Sequence, residues 1–186
     1  MTASKKWDRY FLNLCVTISE ESPCLSRKIG VVIARDNIVI STGYNGPPRK
    51  VPHCGKERAL KDKVLKKVFD TEVFKSTYDD LDVKITCPRK LLEYKSNEGL
   101  SLCPAQHAEM NAITNAARIG VSVERATLYI NSCIPCKNCL GAVINSGIKM
   151  IVVKELIFYD SLSEYIVDNS DLIIREFFKE EETKNA

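Results

Sequence analysis

No stretch of the 186-residue chain approaches the roughly 18–20 uninterrupted apolar residues that span a bilayer, so no membrane helix is expected. An excess of one charge is also missing. The 27 Lys+Arg stand against 24 Asp+Glu, a formal charge of +3 that excludes an extended polybasic arm and argues against a stable nucleic-acid partner. The opening residues, Met1 to Asp8, lead into a stretch broken by Asn13, Glu20 and Glu21 rather than into the apolar core of a secretory signal. The expected compartment is the cytoplasm. No internal repeat and no low-complexity tract appears. What remains, 45% hydrophobic residues in a length usual for one domain, predicts a single domain over residues 1–186.

Thiols, by contrast, are plentiful: the chain has eight cysteines. An even count suits disulfides, but in a reducing compartment clustered thiols more often bind metal or react. Zinc is the expected ion.

Phe11, Leu14, Cys15 and Ile18 recur at helical spacing after Trp7, predicting a first helix that ends near Pro23. The β-branched runs 29–34 and 38–42, joined by Arg35-Asp36-Asn37, read as a hairpin. Gly43-Tyr44-Asn45-Gly46-Pro47-Pro48 reads as a loop. Residues 52–103 carry scattered Lys and Asp and a single expected helix through Leu60, Val64, Leu65, Val68 and Phe69, as an insertion would. Alternation then resumes: helix 107–118, strand 126–130, helix 135–145, strand 150–153, helix 162–167 and strand 172–174, before a polar tail at 179–186. This order predicts an α/β, three-layer α-β-α fold. Its mixed five-stranded sheet is antiparallel in the opening hairpin and parallel thereafter.

Two segments carry the chemistry. His107-Ala108-Glu109 opens one helix, and Pro135-Cys136-Lys137-Asn138-Cys139 opens the next. Cys136 and Cys139, three apart, point the same way on a first helical turn, and Pro135 suits a helix start. The partial positive charge of that helix end favours thiolates. With His107 they form a three-ligand set that leaves one tetrahedral position for water, which separates a catalytic zinc from a closed structural one. Glu109 is placed to take a proton from zinc-activated water and to pass it to a ring nitrogen and a departing amine. The ordered set His-x-Glu then Pro-Cys-x-x-Cys is the recurring signature of zinc nucleobase deaminases. Cys133 forms a second, overlapping Cys-x-x-Cys, but its place before the helix suits a small apolar residue at a strand end. A zinc-stabilised binding module is the rival reading, and it leaves Glu109 without a task.

From about Lys6 to Ile174 the chain resembles the zinc-dependent cytidine/deoxycytidylate deaminase superfamily and, within it, the deoxycytidylate deaminases. The resemblance rests on His107 to Ala112, Pro135 to Cys139, the Gly43-Tyr44-Asn45-Gly46 loop and the long insertion. It implies hydrolysis of dCMP to dUMP and ammonia, supplying dUMP for thymidylate synthesis. Under it, His107, Cys136 and Cys139 hold Zn2+ and Glu109 is the acid/base. Asn45 touches the substrate sugar, Asn111 lies near the sugar or phosphate, and Gly43, Tyr44, Asn45 and Gly46 bind an effector. It also implies a homohexamer activated by dCTP, with Mg2+ accompanying the triphosphate, and inhibited by dTTP, in the host cytoplasm if the source is viral. A modified deoxycytidylate, dCTP, a nucleoside or a tRNA base stays open as the substrate of the same fold.

Other residues are assigned less directly. Among Arg49, Lys50 and Arg118, Arg118 is the preferred phosphate partner because it shares the His107 helix. Tyr159 either packs on the pyrimidine or is an ordinary core tyrosine. Some deoxycytidylate deaminases hold a structural zinc with cysteines at positions like Cys24 and Cys54. Here Cys87 and Cys103, loop thiols in the insertion, are the candidates to complete it, with His53 as a substitute and unligated thiols as the alternative.

Overall fold

The computed structural model describes residues 3–71, 80–95 and 98–177. The polar tail at 179–186 and positions 72–79 and 96–97 of the insertion lie outside them. Helix α1 (Ala3–Glu20) precedes strands β1 (Gly30–Arg35) and β2 (Ile38–Tyr44). Asp36 and Asn37 both adopt positive φ, 53° and 64°, the two-residue turn that matches strand twist. The insertion follows as α2 (Lys56–Lys61), α3 (Lys63–Phe69), α4 (Asp80–Ile85), α5 (Pro88–Leu91) and a 3-10 turn at Leu100–Leu102. Then come α6 (Ala108–Arg118), β3 (Thr127–Cys133), α7 (Lys137–Asn145), β4 (Met150–Glu155), α8 (Ser161–Asp168) and β5 (Ile173–Glu176).

The sheet runs β2-β1-β3-β4-β5. β1 is antiparallel to both β2 and β3, whereas β3, β4 and β5 pair in parallel. The antiparallel character thus extends one pairing beyond the hairpin. Val31 and Ile33 join Ala112, Leu140 and Val143 on one face, while Val32 and Ala34 join Phe11, Leu12 and Cys15 on the other. That alternation is the period of a strand covered on both sides. Gly30 is needed beneath α1, since a Cβ there would collide with the Cys15 carbonyl and lie 2.8 Å from the Ser19 nitrogen. Cys15 is fully buried and donates to the Tyr129 carbonyl (3.2 Å), a core residue as expected.

Two expectations need correction. The single insertion helix is broken at Asp62, whose extended backbone ends α2 and whose carboxylate accepts from Val64 and Leu65 N–H to cap α3. Leu65 is buried but Leu60 and Val64 are each 59% exposed, so that apolar series is not one face. Gly43 and Tyr44 belong to β2 rather than to a loop.

Candidate active and metal site

His107 and Cys136 occupy the residue just before α6 and α7, both with extended backbone and neither capping its helix with its side chain. Freed from capping, they face each other. His107 Nδ1 lies 3.5 Å from Cys136 Sγ and 3.4 Å from Cys139 Sγ. Among the described residues these three form the one group of metal-capable donors gathered within 4.8 Å. Tetrahedral zinc bonds of about 2.3 Å to sulfur and 2.0–2.1 Å to nitrogen put N and S about 3.5 Å apart, so the donor set fits zinc. The segment before His107 is pinned by paired backbone bonds, Gln106 N–H to the Gly46 carbonyl (2.8 Å) and Gly46 N–H to the Gln106 carbonyl (3.1 Å).

Electrostatics agree with that fit. Cys139 donates to Cys136, which with His107 pulls the Cys136 thiol down to about 4 despite burial. Cys139 is pushed up by the neighbouring Cys136 sulfur and by burial. His107 is raised, mainly through its contact with Cys136. Glu109 is 4% exposed, in contact with the Cys139 thiol, and burial raises its carboxyl above the usual range.

These groups open into a cavity of about 440 Å³, within the range of small-molecule sites. Tyr159, following β4, lines it and stands edge-on to the His107 ring at 6.4 Å, so it belongs to the site. Cys133 lines the cavity too, half-buried, outside the metal group. Asn45 also borders it, and its amide makes three bonds to the protein. Its Oδ1 accepts from Ile29 N–H and the Ser22 hydroxyl (2.8 Å each), and its Nδ2 donates to the Arg27 carbonyl (2.9 Å). These bonds give Asn45 the task of shaping residues 22–29 while it borders the cavity.

Asn111 does not reach the cavity. Its Nδ2 donates to the Tyr44 carbonyl (2.8 Å), and it lines a second cleft of about 600 Å³ with Tyr44, Gly46, Arg49 and Lys50. Gly43 faces α6. Arg118 is exposed at the far end of α6, eleven residues from His107 and roughly 16 Å along a helix rising 1.5 Å per residue. The structure therefore does not bring it to the site.

The four remaining thiols divide. Cys54 interacts electrostatically with Cys87 and Cys103, and Arg58 Nη1 donates to its sulfur (3.2 Å). Buried Arg58 also donates to the Leu102 carbonyl (2.6 Å) and Asp62 (2.9 Å), tying α2 to the end of the insertion. Cys24 lines the active cavity with Cys87 and Cys103.

Residues missed in the sequence support the metal group from behind. Asp160 accepts from the N–H of Lys137 (3.1 Å) and of Ser163 (2.9 Å), so one carboxylate joins the starts of α7 and α8. The fully buried Ser163 hydroxyl donates to the Pro135 carbonyl (3.0 Å). An Asp ahead of a helix with Ser three residues on was the available signal.

Residues 5–155 match the family model described as the cytidine and deoxycytidylate deaminase zinc-binding region. A deoxycytidylate deaminase of Enterobacteria phage T2 is 35% identical over 147 residues, covering 77% of each chain. A deoxycytidylate deaminase of Saccharomyces cerevisiae is 30% identical over 178 residues, 96% of this chain and 47% of that protein, so the chain spans about half the length of this relative. The dCMP deaminase of cyanophage S-TIM5, crystallised with dCMP and dUMP, shares the fold with a TM-score of 0.61 at 17% identity, over 95% of this chain and 98% of that one.

Proposed function

Because this chain belongs to the cytidine and deoxycytidylate deaminase family, we propose that it hydrolyses dCMP to dUMP and ammonia, supplying dUMP for thymidylate synthesis. His107, Cys136 and Cys139 would hold the zinc, which when bound supplies a Lewis acid that makes water nucleophilic near pH 7. Glu109 takes a proton from the water that adds to C4 of the cytosine and hands it to N3; it then takes the second proton from the hydroxyl formed at C4 and gives it to the amine, so that the C4–N bond breaks, ammonia leaves and the C4 carbonyl of dUMP forms. Tyr159 forms the side of the cavity along which the base lies. The single observation that carries the reading is the buried Glu109 carboxyl set against the His107, Cys136 and Cys139 donors in a nucleotide-sized cavity. The deoxycytidylate deaminases among the relatives support this substrate over others of the same fold.

Regulation and assembly belong to the same reading: a cytoplasmic homohexamer, activated by dCTP with Mg2+ and inhibited by dTTP. The cleft bearing Tyr44, Gly46, Arg49, Lys50 and His53, lined also by Glu21 and Glu57, is the place for such an effector. A second, structural zinc on Cys24, Cys54, Cys87 and Cys103 is part of the same reading; Cys54 feels Cys87 and Cys103 electrostatically and Cys24 shares a cavity with the latter two, while no three of these sulfurs gather within 4.8 Å as the first metal group does.

Ammonia release from dCMP, dCTP, CMP, deoxycytidine and a tRNA hairpin, with and without dCTP as effector, tests the reading, alongside metal content. Wild type should favour dCMP and hold two zinc ions per chain. Glu109→Gln should keep zinc and lose turnover by at least about 100-fold, the usual scale of acid–base catalysis. Zinc-loaded protein that releases no ammonia from any cytosine nucleotide would leave only a binding module.

A further inference from the structure

Strand β3 carries one residue more than its neighbour where it reaches the catalytic cavity. Ile130 stands opposite Val153 and Cys133 opposite Glu155, so three steps along β3 match two along β4. A bulge of this kind breaks the alternation of side chains along a strand and re-aims them. Asn131 turns to β1, its Oδ1 accepting from Gly30 N–H (2.9 Å), while the next two residues, Ser132 and Cys133, both line the cavity. In a regular strand one of that pair faces away.

The pair is held from both sides. Asn131 anchors the strand before it, and after it Ile134 N–H donates to the Ile157 carbonyl (3.0 Å), in the segment leading to Tyr159. Ser132 Oγ in turn donates to the Cys133 sulfur (3.9 Å). Ile130, Ile134 and Pro135 border the cavity from the same segment, but all three are buried, and both isoleucines belong to the core with Leu140 and Val143. Ser132 and Cys133 are half-buried, so theirs is the surface this segment offers to a ligand. Cys133 stands three residues ahead of Cys136 and outside the metal group, which leaves its side chain free for another role.

The pyrimidine itself says what lies there. C4, the carbon attacked, has two ring neighbours, N3 and C5. N3 is served by Glu109, at the start of α6, and the metal donors lie between the starts of α6 and α7. C5 then points to the other flank of the donors, the segment running from β3 into α7. Resting on the deaminase reading above, we propose that Cys133, backed by Ser132, is the wall facing C5 of the base and sets the size of C5 substituent that the enzyme accepts. Because the backbone on either side is pinned, the wall cannot withdraw, and the limit is steric. A thiol is a short side chain, and a longer one at 133 would fill the space of a C5 methyl group.

The test compares 5-methyl-dCMP with dCMP in the full, zinc-loaded chain, with zinc content checked in each variant. The two compounds share phosphate, sugar and leaving amine, so contacts elsewhere cancel in the ratio of their kcat/KM values. Cys133→Leu adds bulk and should lower the ratio for 5-methyl-dCMP over dCMP by about tenfold or more, within the roughly 10–200-fold that one methylene decides in a close pocket. Cys133→Ala removes the sulfur and should raise it by about threefold or more. Ser26→Leu adds bulk at an exposed position of the same cavity, in the loop before β1, and should leave the ratio unchanged. A ratio unmoved by both Cys133 variants, or an equal loss for both substrates, overturns the assignment. A wild type that turns over neither compound overturns the deaminase reading instead. Calorimetric binding of the same two compounds to Glu109→Gln, with and without Cys133→Leu, then reads the wall without turnover. It stands if Cys133→Leu weakens 5-methyl-dCMP at least about tenfold more than dCMP, and falls otherwise.

Discussion

Gly43→Ala isolates the contact on which the position of Glu109 depends. A Cβ at residue 43 would collide with the Ala108 carbonyl oxygen and the Ala112 nitrogen, and would lie 2.9 Å from Ala112 Cα. Comfortable carbon contacts begin near 3.5–4.0 Å, so β2 and α6 must separate by roughly an ångström. The obstacle is backbone, and no rotamer relieves it. Overpacking of this kind costs about 1–3 kcal/mol. For a chain of this length that lowers Tm by about 2–4 °C per kcal/mol, hence about 4–8 °C for a cost of about 2 kcal/mol. Because Ala108 lies between His107 and Glu109, the same displacement should cut kcat by up to about 100-fold, the penalty for misplacing a reacting group by an ångström. Thermal unfolding and dCMP turnover without any effector, on protein checked for zinc, measure both. Wild-type Tm together with wild-type basal turnover would refute the close-packing argument. A defect confined to the effector response would return Gly43 to the ligand loop.

Two further outcomes follow from the packing. Asp160→Ala removes the acceptor shared by the starts of α7 and α8 and should cost about 1–2 kcal/mol by the usual scale of lost caps, with faster loss of zinc to a chelator. Denaturant melts and a metal-release time course read the two effects, and unchanged release would confine Asp160 to stability. Asp8 is 4% exposed, and burial raises its carboxyl above the ordinary value near 3.8 despite Arg175 at 2.8 Å. A raised folded-state value means that its contribution is present below the unfolded value and lost as pH rises through the folded one. The stability of wild type relative to Asp8→Asn should therefore be highest in acid and fall as pH climbs above about 4, by denaturant melts across that window. A difference that grows with pH would contradict this.

The legible part of the molecule was its locally encoded part. The β-branched run from Ile29 to Ala34 and the Asp36-Asn37 turn impose their own backbone, and the two Cys three apart need only a helix start to converge. Asp62 breaks a helical series because a capping carboxylate outweighs periodicity. Arg118 shares a helix with His107, but sharing an axis does not shorten it. The amide of Asn45 was legible as a donor and acceptor, not as one already taken by Ser22, Arg27 and Ile29. Ser132 and Cys133 reach the cavity together through an extra residue in β3 that strand alternation does not announce, so their arrival there is a tertiary result.

The segment at the end of β2 faces the two chambers by turns: Tyr44 and Gly46 border the second cleft, and Asn45 between them borders the catalytic cavity. The partition is a single residue thick. Whatever shifts Tyr44 drags the neighbouring peptide, and with it the hydrogen bond that sets the backbone of Arg27. A ligand on the outer side of this membrane-thin divider would thus be felt inside through two covalent links and one amide, with no large rearrangement of the sheet behind it.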